Sequence, residues 1–270
     1  TVPSADVDYT FGQVSFVAAQ VDYKGNCGNI SAGVGPFAID EGLVAPVEPG
    51  ATTRLVRIHN TNTQAILRAE VPVGPDGGVL VEGACEIGGV PGAGARIDLD
   101  FSATQGSVTG HLLPTGLRRE ALRVPTSIGE GAAEEEFEAT LLDAGQPTVF
   151  VRSEALGLPR RSAAGAVEAL RQSEGLMRRI ERLRGAAAVR MGIVQRWEDA
   201  EAHSPYTPFV VAVSSPEEAQ SWDLTATCVF MQMPHQAYPV TGSVATTAAA
   251  LLPGTVVHAC ARAPSRGAPL

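Results

Sequence analysis

Alternation of apolar and polar positions runs through the first hundred residues. FGQVSFV (11–17) alternates, and TRLVRIHN (53–60) and AILRAEVPV (65–73) flank a polar step centred on TNT. That pattern predicts a strand followed by two strands joined tightly. GGVLVEG (77–83) and ARIDLDF (95–101) predict two more, separated by the loop GGVPGAG (88–94). The turn-rich stretch 102–116 closes the first half, and the acidic run EGAAEEEFEA (130–139) reads as a solvated face. ATLLDAGQPTVFV (139–151) predicts strand, turn, strand. TPFVVAVSS (207–215) and DLTATCVFMQM (223–233) predict buried strands.

Helical spacing of apolar residues is clearest over 163–192. It predicts one amphipathic surface helix, or two joined near Gly185, with the arginines turned to water. Two apolar helices have a different character. ISAGVGPFAI (30–39) follows the small polar segment YKGNCGN (23–29), and an Ala/Thr-rich helix, stopped by Pro253 and Gly254, follows the turn VTGS (240–243). The shared layout predicts an α+β chain of two similar halves, residues 1–117 and 118–270, each with one buried helix that starts among Gly and small polar residues.

Composition narrows the chemistry. The 270 residues are 44% apolar and 18% charged, with a net charge of −9. That net charge argues against a nucleic-acid surface, which needs clustered Lys and Arg, and any anion site must be locally positive. No apolar run reaches membrane-spanning length, and no secretory signal is visible. Cys27, Cys85, Cys228 and Cys260 are scattered without a CxxC pair, which argues against a zinc cluster or a disulfide framework. A reducing, cytoplasmic setting with free thiols is expected. The chain opens at Thr1 in strand-like sequence and stops without a closing element, so it reads as the central part of a longer protein.

A helix N-terminus offers unpaired N–H groups and about half a unit of positive charge, and so takes carboxylates or phosphates. Gly25 and Gly28 allow close approach, Asn26 and Asn29 add amide hydrogen bonds, and a thiolate at Cys27 is stabilised there. Thr241, Gly242 and Ser243 form the second such end. Two of them facing one another hold a di- or tricarboxylate despite the negative net charge.

GNCGNISAGVGPFAIDEGLV (25–44) resembles the signature segment of the PrpF family, within the diaminopimelate epimerase-like fold. VRIHNTNT (56–63), PGAGARIDLDF (91–101), GSVTGHLLPTG (106–116), LDAGQPTVFV (142–151), AAAVRMG (186–192) and HQAYPVTGS (235–243) follow in the family's order. The resemblance implies two pseudo-symmetric halves, each a curved, mainly antiparallel sheet or barrel around a central helix, with the active site between them. It also implies an isomerase of unsaturated tricarboxylates such as 2-methylaconitate or aconitate. Neither metal, nicotinamide nor pyridoxal cofactor is implied. Cys27 matches the active-site cysteine. Its family partner is a lysine upstream of Thr1, a role for which Lys24 lies too close. Asn60, Thr61 and Asn62 match a ligand-facing turn. Gln146 replaces the usual Asn, and His111 the usual Lys. His235 and Thr241, Gly242 and Ser243 match the second helix end, whose hydroxyls stand where epimerases of this fold carry a second cysteine. His59, His203 and His258 receive no role. A 4-oxalomesaconate-type tautomerase and a non-catalytic carboxylate-binding relative are the alternatives. The partner expected is the small acid, and a homodimer is compatible with the sequence.

Overall fold

The computed structural model describes residues 1–15, 19–88, 90–129, 131–159, 162–218 and 220–262. Strand β1 (Val7–Tyr9) precedes a two-stranded ribbon of β2 (Gln13–Val14) and β3 (Val21–Asp22), then helix α1 (Gly28–Asp40). Positions 16 and 17 of the strand expected over 11–17 lie outside the described residues. Strands β4 (Thr53–Asn60), β5 (Ile66–Pro72) and β6 (Asp98–Asp100) complete a sheet in the order β1-β4-β5-β6, with β1 parallel to β4 and the other pairs antiparallel. Period-two alternation sorts the sheet's faces. Val56, Ile58, Leu67, Ala69 and Val71 are buried against Val34 and Ile39 of α1. Leu55, Arg57, Arg68 and Glu70 point to solvent.

No strand forms over 77–83. Asp76 accepts a hydrogen bond from the Gly78 N–H at 3.1 Å, and Gly77 adopts φ +80°. That turn leaves only an isolated bridge between Val73 and Val79. Of the strand expected over 95–101, only β6 forms.

The second sheet gathers β7 (Glu120–Pro125), β8 (Glu134–Ala144), β9 (Gln146–Arg152), β10 (Phe209–Ser214), β11 (Thr225–Phe230) and β12 (Met233–Pro234) in the order β12-β11-β10-β9-β8-β7. Only β9 and β10 run parallel. Helices α2 (Ala163–Gln172) and α3 (Glu174–Arg190) cover one face, where Phe137, Leu141 and Val149 meet Leu170, Ile180 and Leu183. A short helix, α4 (Ala200–His203), follows. Helices α5 (Val240–Leu251) and α6 (Val256–Cys260) cover the other face, where Leu142, Phe150, Phe209 and Val211 meet Ala245, Ala249 and Val257. Val244 of α5 also packs on the first sheet's core, so this helix ties the halves together.

The acidic run is solvated as expected, and it is the start of β8: Glu134, Glu136 and Glu138 face out, Phe137 faces in, and Glu135 pairs with Arg179 at 2.7 Å. Several other local expectations are corrected. The long helix breaks at Ser173, not Gly185. Ser173 is extended (φ −124°, ψ 93°) and accepts from the Leu176 N–H, restarting the helix as a cap does. Not every arginine on that helix is solvated, because Arg184 is buried. DLTATCVFMQM is a hairpin rather than one strand, turning at Met231 and Gln232, both left-handed. VTGS is the first turn of α5 itself, since Pro239 serves as N-cap. The stretch 102–116 bonds to the second sheet: Gly106 N–H donates to the Asp143 carbonyl at 2.8 Å, and Asp143 N–H to the Leu112 carbonyl at 2.9 Å.

Candidate active site

Helices α2, α3 and α6 are capped by side chains. Ser162 accepts from the Gly165 N–H at 2.9 Å, Ser173 from Leu176 at 3.2 Å and Thr255 from His258 at 3.0 Å. The central helices differ. Cys27 caps α1 and Pro239 caps α5, neither with a side-chain bond, and neither first turn holds an acidic residue. The first helical bonds run from Ser31 N–H to the Cys27 carbonyl and from Ser243 N–H to the Pro239 carbonyl, each 2.9 Å. The N–H groups of Gly28, Asn29 and Ile30, and of Val240, Thr241 and Gly242, precede those bonds.

The two ends meet. A Cβ placed on Gly28 would lie 2.6 Å from the Val240 Cβ and 3.2 Å from the Thr241 nitrogen. Only glycine permits this approach. It brings two partially positive termini together, an arrangement favourable for an anion.

Cys27 is half-buried at this junction, packed with Tyr9 against the core that contains Phe11 and Tyr206. Burial, and then the nearby Cys27 sulfur, push the Tyr9 phenol up to about 12, with Ser31 pulling the other way. The same two causes, in the same order, raise Tyr206 further. Tyr206 donates to the Asn26 carbonyl at 3.0 Å. Its ring fills the space beside Gly25, where a Cβ would lie 2.2 Å from a ring carbon and 3.1 Å from Gln146 Oε1.

Asn26 is 1% exposed. Its Oδ1 accepts from Ser31 Oγ and from Asn60 Nδ2, both at 3.1 Å. Asn60 Oδ1 accepts in turn from the Thr63 N–H and hydroxyl at 2.9 Å. Asn60 therefore holds Asn26 rather than opening to the cleft. Gln146, fully buried, donates from Nε2 to Thr207 Oγ1 at 2.6 Å. Asn26 Nδ2 and Gln146 Oε1, a donor and an acceptor, are buried without a hydrogen-bond partner among the described residues.

Asn62 fastens two segments, accepting from the Phe11 N–H at 2.8 Å and donating to the carbonyls of Phe11 and Tyr23 at 2.8 and 2.7 Å. Thr61 pairs with Thr10 at 2.6 Å. Beside them is a polar cavity of about 440 Å³, lined by Tyr23, Lys24, Asn62, Ser107, Thr109 and Thr207. Thr241 and Gly242 are buried, while Asn29 and Ser243 are exposed.

His235 is not part of this group. It lines a groove with Glu168, Arg171 and Thr227, accepts from the Ala237 N–H at 3.1 Å, and rests on Phe230 with ring centres 5.0 Å apart. His111 is exposed, and the Lys24 ammonium donates to the His203 carbonyl. Tyr206, Thr207 and Tyr9 were missed in the sequence. The signal available for Tyr206 was its position between Pro205 and Pro208, just before a buried strand.

Comparison with known proteins decides the family. A family model described as PrpF protein matches residues 1–268. The chain belongs to the PrpF family. Among curated PrpF relatives, 3-methylitaconate isomerase of Eubacterium barkeri is 40% identical over 96% of this chain and 67% of its own length. The 2-methyl-aconitate isomerase of Shewanella oneidensis is 33% identical over 95% and 65%. The 4-oxalomesaconate tautomerase of Pseudomonas putida is 35% identical over 95% and 64%. The chain thus spans about two thirds of the length of these relatives. The crystal structure of a methylitaconate-delta-isomerase superposes with a TM-score of 0.78 at 38% identity, covering 98% of this chain and 68% of that one. This PrpF chain therefore shares the α+β fold of an isomerase. No helix among the described residues is long and apolar enough to cross a membrane.

Proposed function

We propose that this PrpF chain shifts a proton along an unsaturated di- or tricarboxylate, moving or rotating its double bond, with Cys27 as an acid/base group. The observation that carries the reading is the meeting, beside Cys27, of two helix N-termini that lack side-chain cap bonds. One carboxylate lies against the N–H groups of residues 28–30 and another against those of 240–242. The Cys27 thiolate removes the acidic C–H proton next to the conjugated system. Negative charge then spreads onto the carboxylate oxygens, where fixed N–H donors meet it as it forms. The proton returns at the other end of the allylic unit, or at the same carbon after rotation. The PrpF resemblance implies a lysine as second acid/base group.

The 40% identity to 3-methylitaconate isomerase supports a methyl-substituted dicarboxylate as first candidate, with 2-methylaconitate next. Incubation with each acid in D₂O, followed by proton NMR, tests this. Expected is deuterium incorporation with double-bond migration, lowered about 10²–10⁴-fold in Cys27→Ala, the usual contribution of a positioned acid/base group. Equal exchange by wild type and Cys27→Ala refutes the assigned role. Binding of the acids with no exchange in the wild type selects the carboxylate-binding alternative.

A further inference from the structure

Arg184 stands apart from the other arginines of α3. It is 1% exposed, and its Nε and Nη2 donate to the two oxygens of Glu181 at 2.8 and 2.5 Å. Its Nη1 donates to the carbonyls of Ser204 and Thr207 at 2.6 and 3.2 Å. Glu181 also accepts from Gln232 Nε2 at 3.2 Å, at the left-handed corner of the β11–β12 hairpin. Between the two carbonyls held by Arg184 lie Pro205 and Tyr206. This short segment carries Tyr206, on the Asn26 carbonyl at 3.0 Å, and Thr207, on Gln146 at 2.6 Å, whose Oε1 lies beside Gly25.

Taking a guanidinium out of water is unfavourable, and an apolar residue fills a helix interior at lower cost. What the guanidinium adds is its fork, aimed at a carboxylate on one side and at two backbone carbonyls on the other. A lysine ammonium, a single point donor, does not reproduce it.

We propose that Arg184 is a positioning residue, fixing Tyr206 against the Asn26–Cys27 peptide and so setting the direction from which the Cys27 thiol meets its substrate. The idea rests on Cys27 being the proton-transferring group. Arg184 touches neither sulfur nor substrate and acts through residues 204–207.

Arg184→Lys, Tyr206→Phe and their combination, each in the full chain, test this by three readouts. These are thermal melting, the alkylation rate of Cys27 by iodoacetamide without substrate, and kcat and KM for the isomerisation. Arg184→Lys is expected to melt lower. Well below that melting point, Cys27 alkylation changes by at least about threefold and kcat falls about tenfold, as small misplacements of reacting groups do. KM stays within about twofold, because the helix ends are untouched. Tyr206→Phe shifts both rates in the same direction, and the double variant adds little, since the two act in one chain of contacts. Wild-type alkylation and kcat in Arg184→Lys, or additive effects in the double variant, overturn the proposal. If Arg184→Lys does not fold, Glu181→Gln loosens the guanidinium while keeping its charge, and the same outcomes are read from it with and without Tyr206→Phe. Alkylation needs no substrate, so an inactive wild type counts against the proposed reaction and leaves the Arg184 result readable.

Discussion

Asn26 and Cys27 are neighbours with different work to do. The Asn26 side chain is bonded to Ser31 and Asn60, whereas Cys27 makes no side-chain bond to its helix. Truncating the two should therefore separate stability from activity. Asn26→Ala leaves Asn60 Nδ2 without its acceptor in a buried site, while the Ser31 hydroxyl keeps the Cys27 carbonyl at 2.8 Å, and is expected to lower unfolding stability by about 1–3 kcal/mol. Cys27→Ala should unfold in urea within about 0.5 kcal/mol of wild type while losing proton exchange. Tyr9 touches the same site but stays neutral, because burial and the adjacent sulfur push its phenol up to about 12. Its ionised form is disfavoured by burial and by the Cys27 sulfur, so Tyr9→Phe should leave the shape of the pH–rate profile unchanged. Loss of the profile's alkaline limb in that variant would contradict this. The helix start at GNCGN was legible because Gly and Asn signal helix starts locally. Tyr206 was not, since it reaches Asn26 from 180 positions away. Arg184 was assigned to water because an amphipathic pattern does so by default.

For the elements, the decisive contact is between α1 and α5, and two glycines of α1 isolate it. Alanine at Gly28 drives a Cβ to within 2.6 Å of the Val240 Cβ, an atom fixed to the α5 backbone. Gly28→Ala should lose about 1–3 kcal/mol of stability and weaken carboxylate binding as the helix ends separate. Gly33 lies in the same helix with nothing within 4 Å of an added Cβ. Gly33→Ala should stabilise by up to about 1 kcal/mol through helix propensity and leave binding unchanged. Urea melts and dicarboxylate titrations of the pair check both statements. If Gly28→Ala binds as tightly as Gly33→Ala, the helix ends do not hold the acid. Sequence placed both helices but began the second too late, at the end of VTGS. Thr, Gly and Ser are turn formers, and Pro239 starts the helix before them.

At the scale of the whole molecule, α5 and the segment 102–116 join the two main sheets. Asp143, buried in β8, accepts from the N–H groups of Val108 and Thr109 at 3.0 and 2.7 Å and from the Thr109 hydroxyl at 2.8 Å. Burial nevertheless raises its pKa, against the pull of those donors. A carboxyl raised on folding contributes its stability below its unfolded value, and that contribution is lost as pH rises through the folded one. Asp143→Asn, neutral and similar in shape, should therefore lose less stability than wild type when pH is raised from the acid range to neutrality, read from urea midpoints. The two-sheet plan was legible from alternation and from the repeated helix layout. The bonding of residues 102–116 to the second sheet was not, because a turn-rich segment carries no periodicity to say which sheet it joins.

The central claim is that two helix ends hold a polycarboxylate in reach of Cys27. Its most direct test is alkylation of the four thiols by iodoacetamide, mapped by peptide mass spectrometry with and without a saturating methyl-substituted unsaturated dicarboxylate. Cys228 and Cys260 are buried, and burial raises the Cys228 thiol, so both should stay unlabelled. Cys85 is partly exposed and bridges to Gly94 outside both helix ends, and is the internal control. The account predicts that the acid slows labelling of Cys27 at least about tenfold and leaves Cys85 unchanged. Labelling of Cys27 at the same rate with and without the acid would contradict it.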